Sequence, residues 1–209
     1  MILDTLAAMP APQIAAFLLG GLMMNLAPGQ DVMFASACGM RGGPRAGMLA
    51  GLGVGFGGVA QVLLVTAGLG AVLARHPGAQ QAVRLAGGAY LAWLAVRTWL
   101  CPAVAEDGRT DAGTGASLIL RGTLNNLLNP KTLLFLLAFL PQFTNPAWGP
   151  VWHQVLALGL MFAATGMLVT MGYGALAGLA RRGLAGRMQV LNRLSALLFA
   201  GLALRLVLA

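Results

Sequence analysis

The sequence predicts an all-α, polytopic membrane protein: six transmembrane helices arranged as two inverted three-helix repeats, with broken helices at Pro28 and Pro130. The first observation behind this is composition. The 209 residues are 58% hydrophobic and 9% charged, with a mean hydropathy of +0.81. An ordinary soluble domain carries about 25% charged residues; a soluble fold this apolar would lack the polar surface to cover itself. The second is the recurrence of apolar stretches near the roughly 20 residues that a spanning helix needs. The third is a pair of matching interruptions, one in each half of the chain.

The elements are expected in this order. Segment one runs over about 14–39 and passes through the Pro28-Gly29 break. Segment two covers about 46–74. Its Gly47, Gly51, Gly55 and Gly58 recur at spacings of four and three, which places them on one helical face as a close-packing seam. Segment three is about 85–100. The polar stretch 102–116 is the one obvious linker, dividing a single transmembrane domain of residues 1–209 into repeat one (about 12–101) and repeat two (about 117–209). Segment four, about 118–140, is broken at Asn129-Pro130. Loop 141–152 offers Trp148 and Trp152 as interface anchors. Segment five is about 155–179, the loop 181–193 is strongly basic, and segment six is about 194–208.

Charge sets the orientation. The net charge of +8 does not indicate nucleic acid, because the arginines sit at the ends of apolar segments and form no single patch interleaved with aromatics. Loops one, three and five carry Arg41, Arg45, Arg109, Arg121, Arg181, Arg182 and Arg187, with Arg193 at the margin. Loops two and four carry Arg75 and Arg84. The odd loops are therefore expected to be cytoplasmic, with both termini outside; Arg205 is a counter-signal. Arg41 and Arg45 read as markers of the cytoplasmic edge. The N-terminus lacks the basic region of a cleaved signal peptide, so segment one is expected to be retained. Cys38 and Cys101 are far apart, and His76 and His153 are expected in loops. No metal site, cofactor or enzymatic machinery is expected. Cys38 reads as a small packing residue.

The halves resemble each other at informative places. Gly20 lies eight residues before Pro28, and Gly122 eight before Pro130. Ala95-Val96-Arg97 rhymes with Ala203-Leu204-Arg205. With three segments per half, the second half enters the membrane from the opposite side. Discontinuous helices at matching positions of such a repeat point to a transport site near the midplane.

The chemistry follows from the breaks. A proline fits the first turn of a helix, where its missing N–H would be unpaired anyway. Pro28 and Pro130 thus each open a half-helix, and Asn129 can cap the second. The first turn exposes backbone N–H groups and the positive end of the helix dipole, and Gly29 leaves that backbone open to a carboxylate. Asp31 is the one acid among the membrane-grade segments; burying it costs roughly 2.5–3.5 kcal/mol on insertion scales. Lys131 stands where a cation is disfavoured, which calls for an anionic partner: Asp31 across the pseudo-symmetry axis, or a substrate carboxylate. Asn25, Asn126 and Gln30 either complete a polar lining or satisfy backbone groups freed at the breaks. For Gln61, pore lining and interhelical hydrogen bonding are equally open. Structural or interfacial roles for Asp31 and Lys131 are the competing readings.

Pro28-Gly29-Gln30-Asp31, then Arg41-Gly42-Gly43-Pro44-Arg45-Ala46-Gly47 and the glycine-rich second helix, resemble the lysine-exporter (LysE/RhtB-type) family of amino-acid efflux proteins. Gly87-Gly88-Ala89-Tyr90-Leu91, Asn129-Pro130-Lys131-Thr132, Phe139-Leu140-Pro141-Gln142-Phe143 and Gly201-Leu202-Ala203-Leu204-Arg205-Leu206 fit it too. The resemblance implies proton-driven export of amino acids or close derivatives, with the paired motifs at Pro28 to Asp31 and Asn129 to Lys131. Gln30 stands where the family usually has a second proline, and Gly58 where it often has an acid. One intramembrane acid balances one ammonium, so a small, neutral amino acid is expected over a dicationic one. The expected partners are that solute and the lipid bilayer, and small-residue faces suggest a homodimer. The alternative is a metal-ion or small-ion exporter on the same architecture, which would need further ligands converging on Asp31. A thiol-redox carrier using Cys38 and Cys101, or a receptor without transport, are more distant readings.

Overall fold

The computed structural model describes residues 2–75 and 114–179, together with the single positions 89, 92, 93, 96, 100, 193, 197, 200 and 204. The expected third and sixth segments, most of the polar linker, and the basic loop 181–193 lie outside the described residues apart from those positions. All described elements are helical. They are α1 (Ile2–Ala8), α2 (Ala11–Leu26), α3 (Gln30–Arg75), α4 (Gly115–Leu127), α5 (Pro130–Phe139) and α6 (Val151–Leu179), with two 3-10 turns, Leu140–Phe143 and Pro146–Trp148, before α6.

Local chemistry fixes the boundaries. Pro12 in the first turn of α2 tolerates its missing N–H. α2 stops at Leu26 because Pro28 forces Ala27 into an extended conformation (φ −62°, ψ 115°). α4 likewise stops short of Pro130, with Asn129 extended (φ −80°, ψ 106°). Asn129 then caps α5, its side chain accepting from the Lys131 N–H. α3 reverses within itself at Gly43 (φ 80°, ψ −179°), a conformation that costs glycine little. The expected loop between segments one and two is thus a turn about one residue, with Arg41 and Arg45 exposed beside it. Two further details differ from expectation. α1 precedes the first broken helix, and α6 begins at Val151, which puts His153 in a helix, buried and bonded to Thr5 (3.2 Å).

α3 packs chiefly on α6 and α4. Gly47 lies against Gly174 and Gly51 against the backbone of Met171, while Gly53 and Gly57 meet Ile119 and Thr123 on the other side. These are the close approaches that small residues permit between membrane helices. Gly47, Gly51 and Gly55 form the expected seam; Gly58 has room for a Cβ and is not close-packed. At about 1.5 Å per residue, the 29 residues of α6 reach about 43 Å, beyond the roughly 30 Å of hydrocarbon. Among the described residues, the other stretch long and apolar enough to cross a membrane is Gln30–Gly68, which folds back at Gly43.

The two interrupted helices run in opposite directions. α2 starts beside the Leu140–Phe143 turn that precedes α6, where Gln13 donates to the Gln142 carbonyl, and reaches mid-α6, where Asn25 donates to the Phe162 carbonyl. The limb 30–42 continues to Gly43, beside Gly178 near the end of α6. α4 starts at that same end, with Gly115 near Leu49, and climbs past Gly53 and Gly57. α5 carries on until Phe139 meets Gly20. Arg41, Arg45 and the start of α4 therefore share one end of the molecule with the close of α6. The opposite half is filled by Phe17, Phe135, Phe139, Phe143 and Phe162, whose neighbouring ring centroids lie 4.7–5.7 Å apart, within the range of favourable aromatic pairing.

Candidate functional site

The two breaks meet level with the middle of α6, between the phenylalanine cluster and the glycine seam. Asp31, in the first turn of α3, faces the end of α4. Its Oδ1 accepts from Asn125 Nδ2 (2.9 Å), and its Oδ2 accepts from Asn126 Nδ2 (2.9 Å) and Asn129 Nδ2 (2.8 Å). Hydrogen bonds to an ionised acceptor are roughly twice as strong as neutral ones, so one carboxylate ties the two broken helices together. Asn129 serves twice, since its Oδ1 caps α5 through the Lys131 N–H (3.0 Å).

Carbonyls freed at the breaks are satisfied from other helices, as membrane depth requires. At the first break, Lys131 Nζ donates to the Ala27 carbonyl (3.1 Å), and the Tyr173 hydroxyl to that of Leu26 (3.1 Å). At the second, Gln61 Nε2 donates to the carbonyls of Asn126 (2.8 Å), Leu127 (3.2 Å) and Asn129 (3.2 Å). Gln61 is thus an interhelical bond; it does not border the cavity. Asn25 anchors α2 to α6 through the Phe162 carbonyl (3.2 Å) and Thr165 Oγ1 (3.0 Å).

Asp31 and Lys131 border one cavity, with about 40 Å³ open to solvent-sized groups. A water needs roughly 10–15 Å³ by that measure, so the space suits a few waters or the polar head of a small solute. Asn25, Gly29, Gln30, Asn126 and Asn129 also line it. A Cβ at Gly29 would stand 2.9 Å from Lys131 Nζ, so glycine there keeps the backbone open to the lysine. Pro28 and Pro130 do not line the cavity; their part is to end the preceding helices. Gln30 is exposed and donates to Asn125 Oδ1 (3.0 Å). The apolar wall comes from Val54, Phe162, Ala163 and Met167.

Three contributors were not singled out from the sequence. Asn125 donates to Asp31, Tyr173 supports the first break, and α6 supplies one whole wall. The Asn125-Asn126 pair just ahead of the Asn129-Pro130 break was a usable signal for the first. Among the described residues, no group of three or more His, Cys, Asp or Glu side chains is placed to hold a metal ion. Cys101 and His76 lie outside the described residues.

Comparison with known proteins agrees along most of the chain. The LysE type translocator family model matches residues 22–209. The chain is 36% identical over 166 residues to the homoserine/homoserine lactone efflux protein of Salmonella typhi, covering 78% of this chain and 79% of that protein. It is 34% identical over 164 residues to an uncharacterized membrane protein of Vibrio cholerae serotype O1, with the same coverage. A leucine efflux protein of Klebsiella pneumoniae is 33% identical over 131 residues, 62% of each chain. No solved structure matches significantly. The family match takes in both breaks, the cavity between them and the glycine seam: the chain belongs to the LysE type translocator family of membrane transport proteins.

Proposed function

We propose that this protein exports a small amino acid or amino-acid derivative across the bacterial inner membrane, driven by the proton gradient. The observation that carries the reading is the single carboxylate of Asp31, held by amides from the opposite break and sharing a cavity with Lys131. An amino acid carries one ammonium and one carboxylate, and the cavity offers one group of each complementary sign. Family membership and the efflux names of the Salmonella and Klebsiella relatives support the same class.

The chemistry runs as follows. A carboxylate has about four acceptor positions, and Asp31 uses three for the asparagines. The remaining Oδ1 position takes either the solute ammonium or a proton. The solute carboxylate takes Lys131 and the N–H groups of the first turn of α3, which Gly29 leaves uncovered. Exchange of proton for ammonium at Asp31 couples the two fluxes. Alternating access comes from one three-helix repeat rocking on the other, opening the phenylalanine cluster on one side and the glycine seam on the other. The antiparallel course of the broken helices supports six spans in two inverted repeats. The arginines gathered at the Gly43 end support a cytoplasmic placement for that end, with both termini periplasmic. The small-residue faces support a homodimer.

The test is uptake into inverted membrane vesicles of a labelled panel including homoserine and leucine, with and without a proton gradient. Wild-type protein should accumulate a member of the panel in a gradient-dependent way. Asp31→Asn should insert normally and transport at least about 100-fold less, as expected when an intramembrane ionisable group is the functional one. Full transport by that variant would remove Asp31 from the mechanism.

A further inference from the structure

The glycines of the second limb of α3 are not equivalent. At 47, 51, 53, 55 and 57, an added Cβ would run into α6 or α4. At Gly58 it would meet Ala163 Cβ at 3.5 Å and Asn126 Oδ1 at 3.8 Å, which are ordinary contact distances. Gly58 also has no positive φ. Neither packing nor backbone conformation therefore asks for glycine at this position. What Gly58 does is border the cavity, across from Ala163 and beside Asn126. Asn126 is 4% exposed, and its Oδ1 has no hydrogen-bond partner. Its amide cannot be turned round to satisfy that oxygen, because its Nδ2 is committed to Asp31 (2.9 Å). A buried acceptor thus lies open beside a gap that one side chain would cover.

We propose that Gly58 is the notch that sets which side chain the transported solute can carry, with Ala163 as the opposite jaw and Asn126 Oδ1 as a buried, unpartnered acceptor at its rim. The inference rests on the exporter reading and deepens it. The polar head of the solute sits at Asp31 and Lys131, and its side chain projects toward the place where α3 and α6 oppose two small residues, Gly58 and Ala163. Gly55 meets the Met167 side chain, whereas Gly58 and Ala163 only reach ordinary contact. In a space of about 40 Å³, one methyl on either jaw changes what fits. Branched aliphatic solutes should be lost first and short ones last.

The measurement is the ratio of leucine to homoserine uptake in inverted vesicles, with membrane insertion and melting temperature followed in parallel. A Cβ at 58 displaces no neighbour, so Gly58→Ala should fold as the parent does. The ratio should fall on the order of tenfold, the scale of one methylene in an apolar pocket, and further in Gly58→Val. Ala163→Val, narrowing the notch from the other helix, should move the ratio the same way. The double variant should fall short of the product of the two. Gly68→Ala, on the same helix with nothing within 4 Å, should keep the wild-type ratio. An unchanged ratio in both Gly58→Ala and Ala163→Val, or equal loss of both solutes, overturns the notch while leaving the exporter reading standing. A wild-type protein that moves no member of the panel overturns both.

Discussion

The two breaks occupy matching places in the chain but are built differently. The second is held by neutral groups. Asn129 caps its own half-helix, and one Gln61 amide serves the carbonyls of Asn126, Leu127 and Asn129. The first has no cap of that kind. Its acid reaches out to three asparagines of the second break, and its Ala27 carbonyl accepts from Lys131, a cation of the second half-helix. One break therefore supplies a fixed cradle of amides, and the other supplies the charge held in it. On the exporter reading proposed above, the contrast divides labour between the two breaks: the one held by neutral bonds stays put, while the one held through ionised groups responds to a proton or a charged solute.

The strongest way to break this comparison is at Lys131. Lys131→Met keeps the length of the side chain but removes the donor to Ala27 and the positive charge facing Asp31 across the cavity. Losing one member of a buried charged pair costs about 3–5 kcal/mol. Uptake into inverted vesicles should fall on the order of 100-fold, equivalent to about 3 kcal/mol. Insertion should persist, since the α5 cap comes from Asn129. Wild-type uptake by this variant would mean that the first break is as static as the second.

Gln61→Leu probes the other side. Its Nε2 carries two protons for three carbonyls, so the 2.8 Å bond to Asn126 is the strongest and the two at 3.2 Å share what remains. Each buried group left unsatisfied costs about 1–3 kcal/mol. Interhelical bonds in membranes often contribute less, about 0.6 kcal/mol on average, because the unfolded state finds other partners. Carbonyls fixed at a break have fewer alternatives. A loss of about 2–3 kcal/mol in stability is expected, read as a lower melting temperature in detergent. The solute preference of the folded fraction should stay as in the parent. A shift in preference without loss of stability would place Gln61 in the transport path.

Much of this was legible in the sequence, and the rest was hidden for identifiable reasons. Pro28 and Pro130 show because proline interrupts an apolar run whatever surrounds it. Asp31 and Lys131 show because ionisable residues are rare at membrane depth. The turn at Gly43 reads as a loop because Arg41 to Arg45 is polar, and polarity does not tell a loop from a reversal about one glycine. Gly58 lies on the face that its spacing predicts, toward α6, yet it is not close-packed. Periodicity gives the direction a residue faces, while the size of the side chain opposite, Met167 at Gly55 and Ala163 at Gly58, decides what it meets there. Tyr173 carries no signal in the sequence, because nothing in an apolar helix tells which aromatic will meet a freed carbonyl; its hydroxyl has a partner because α2 ends beside it.

The finest test of the comparison uses that hydroxyl. Tyr173→Phe removes one donor and little volume, and leaves the Leu26 carbonyl without its partner from α6. The expected cost is about 1 kcal/mol, which is too small to abolish export. The variant therefore separates two accounts of the first break. If Tyr173 only satisfies a carbonyl, the melting temperature falls slightly and solute affinity and proton dependence follow the parent. If the first break moves during transport, Leu26 leaves or regains Tyr173 in one of the two access states. The variant then shifts the balance between those states, and the apparent affinity differs from the parent when measured from opposite sides of the membrane. The matching change at the second break has no equivalent, because Gln61 holds its carbonyls with one neutral amide. An asymmetry confined to Tyr173→Phe would locate the moving part at Ala27 to Gly29.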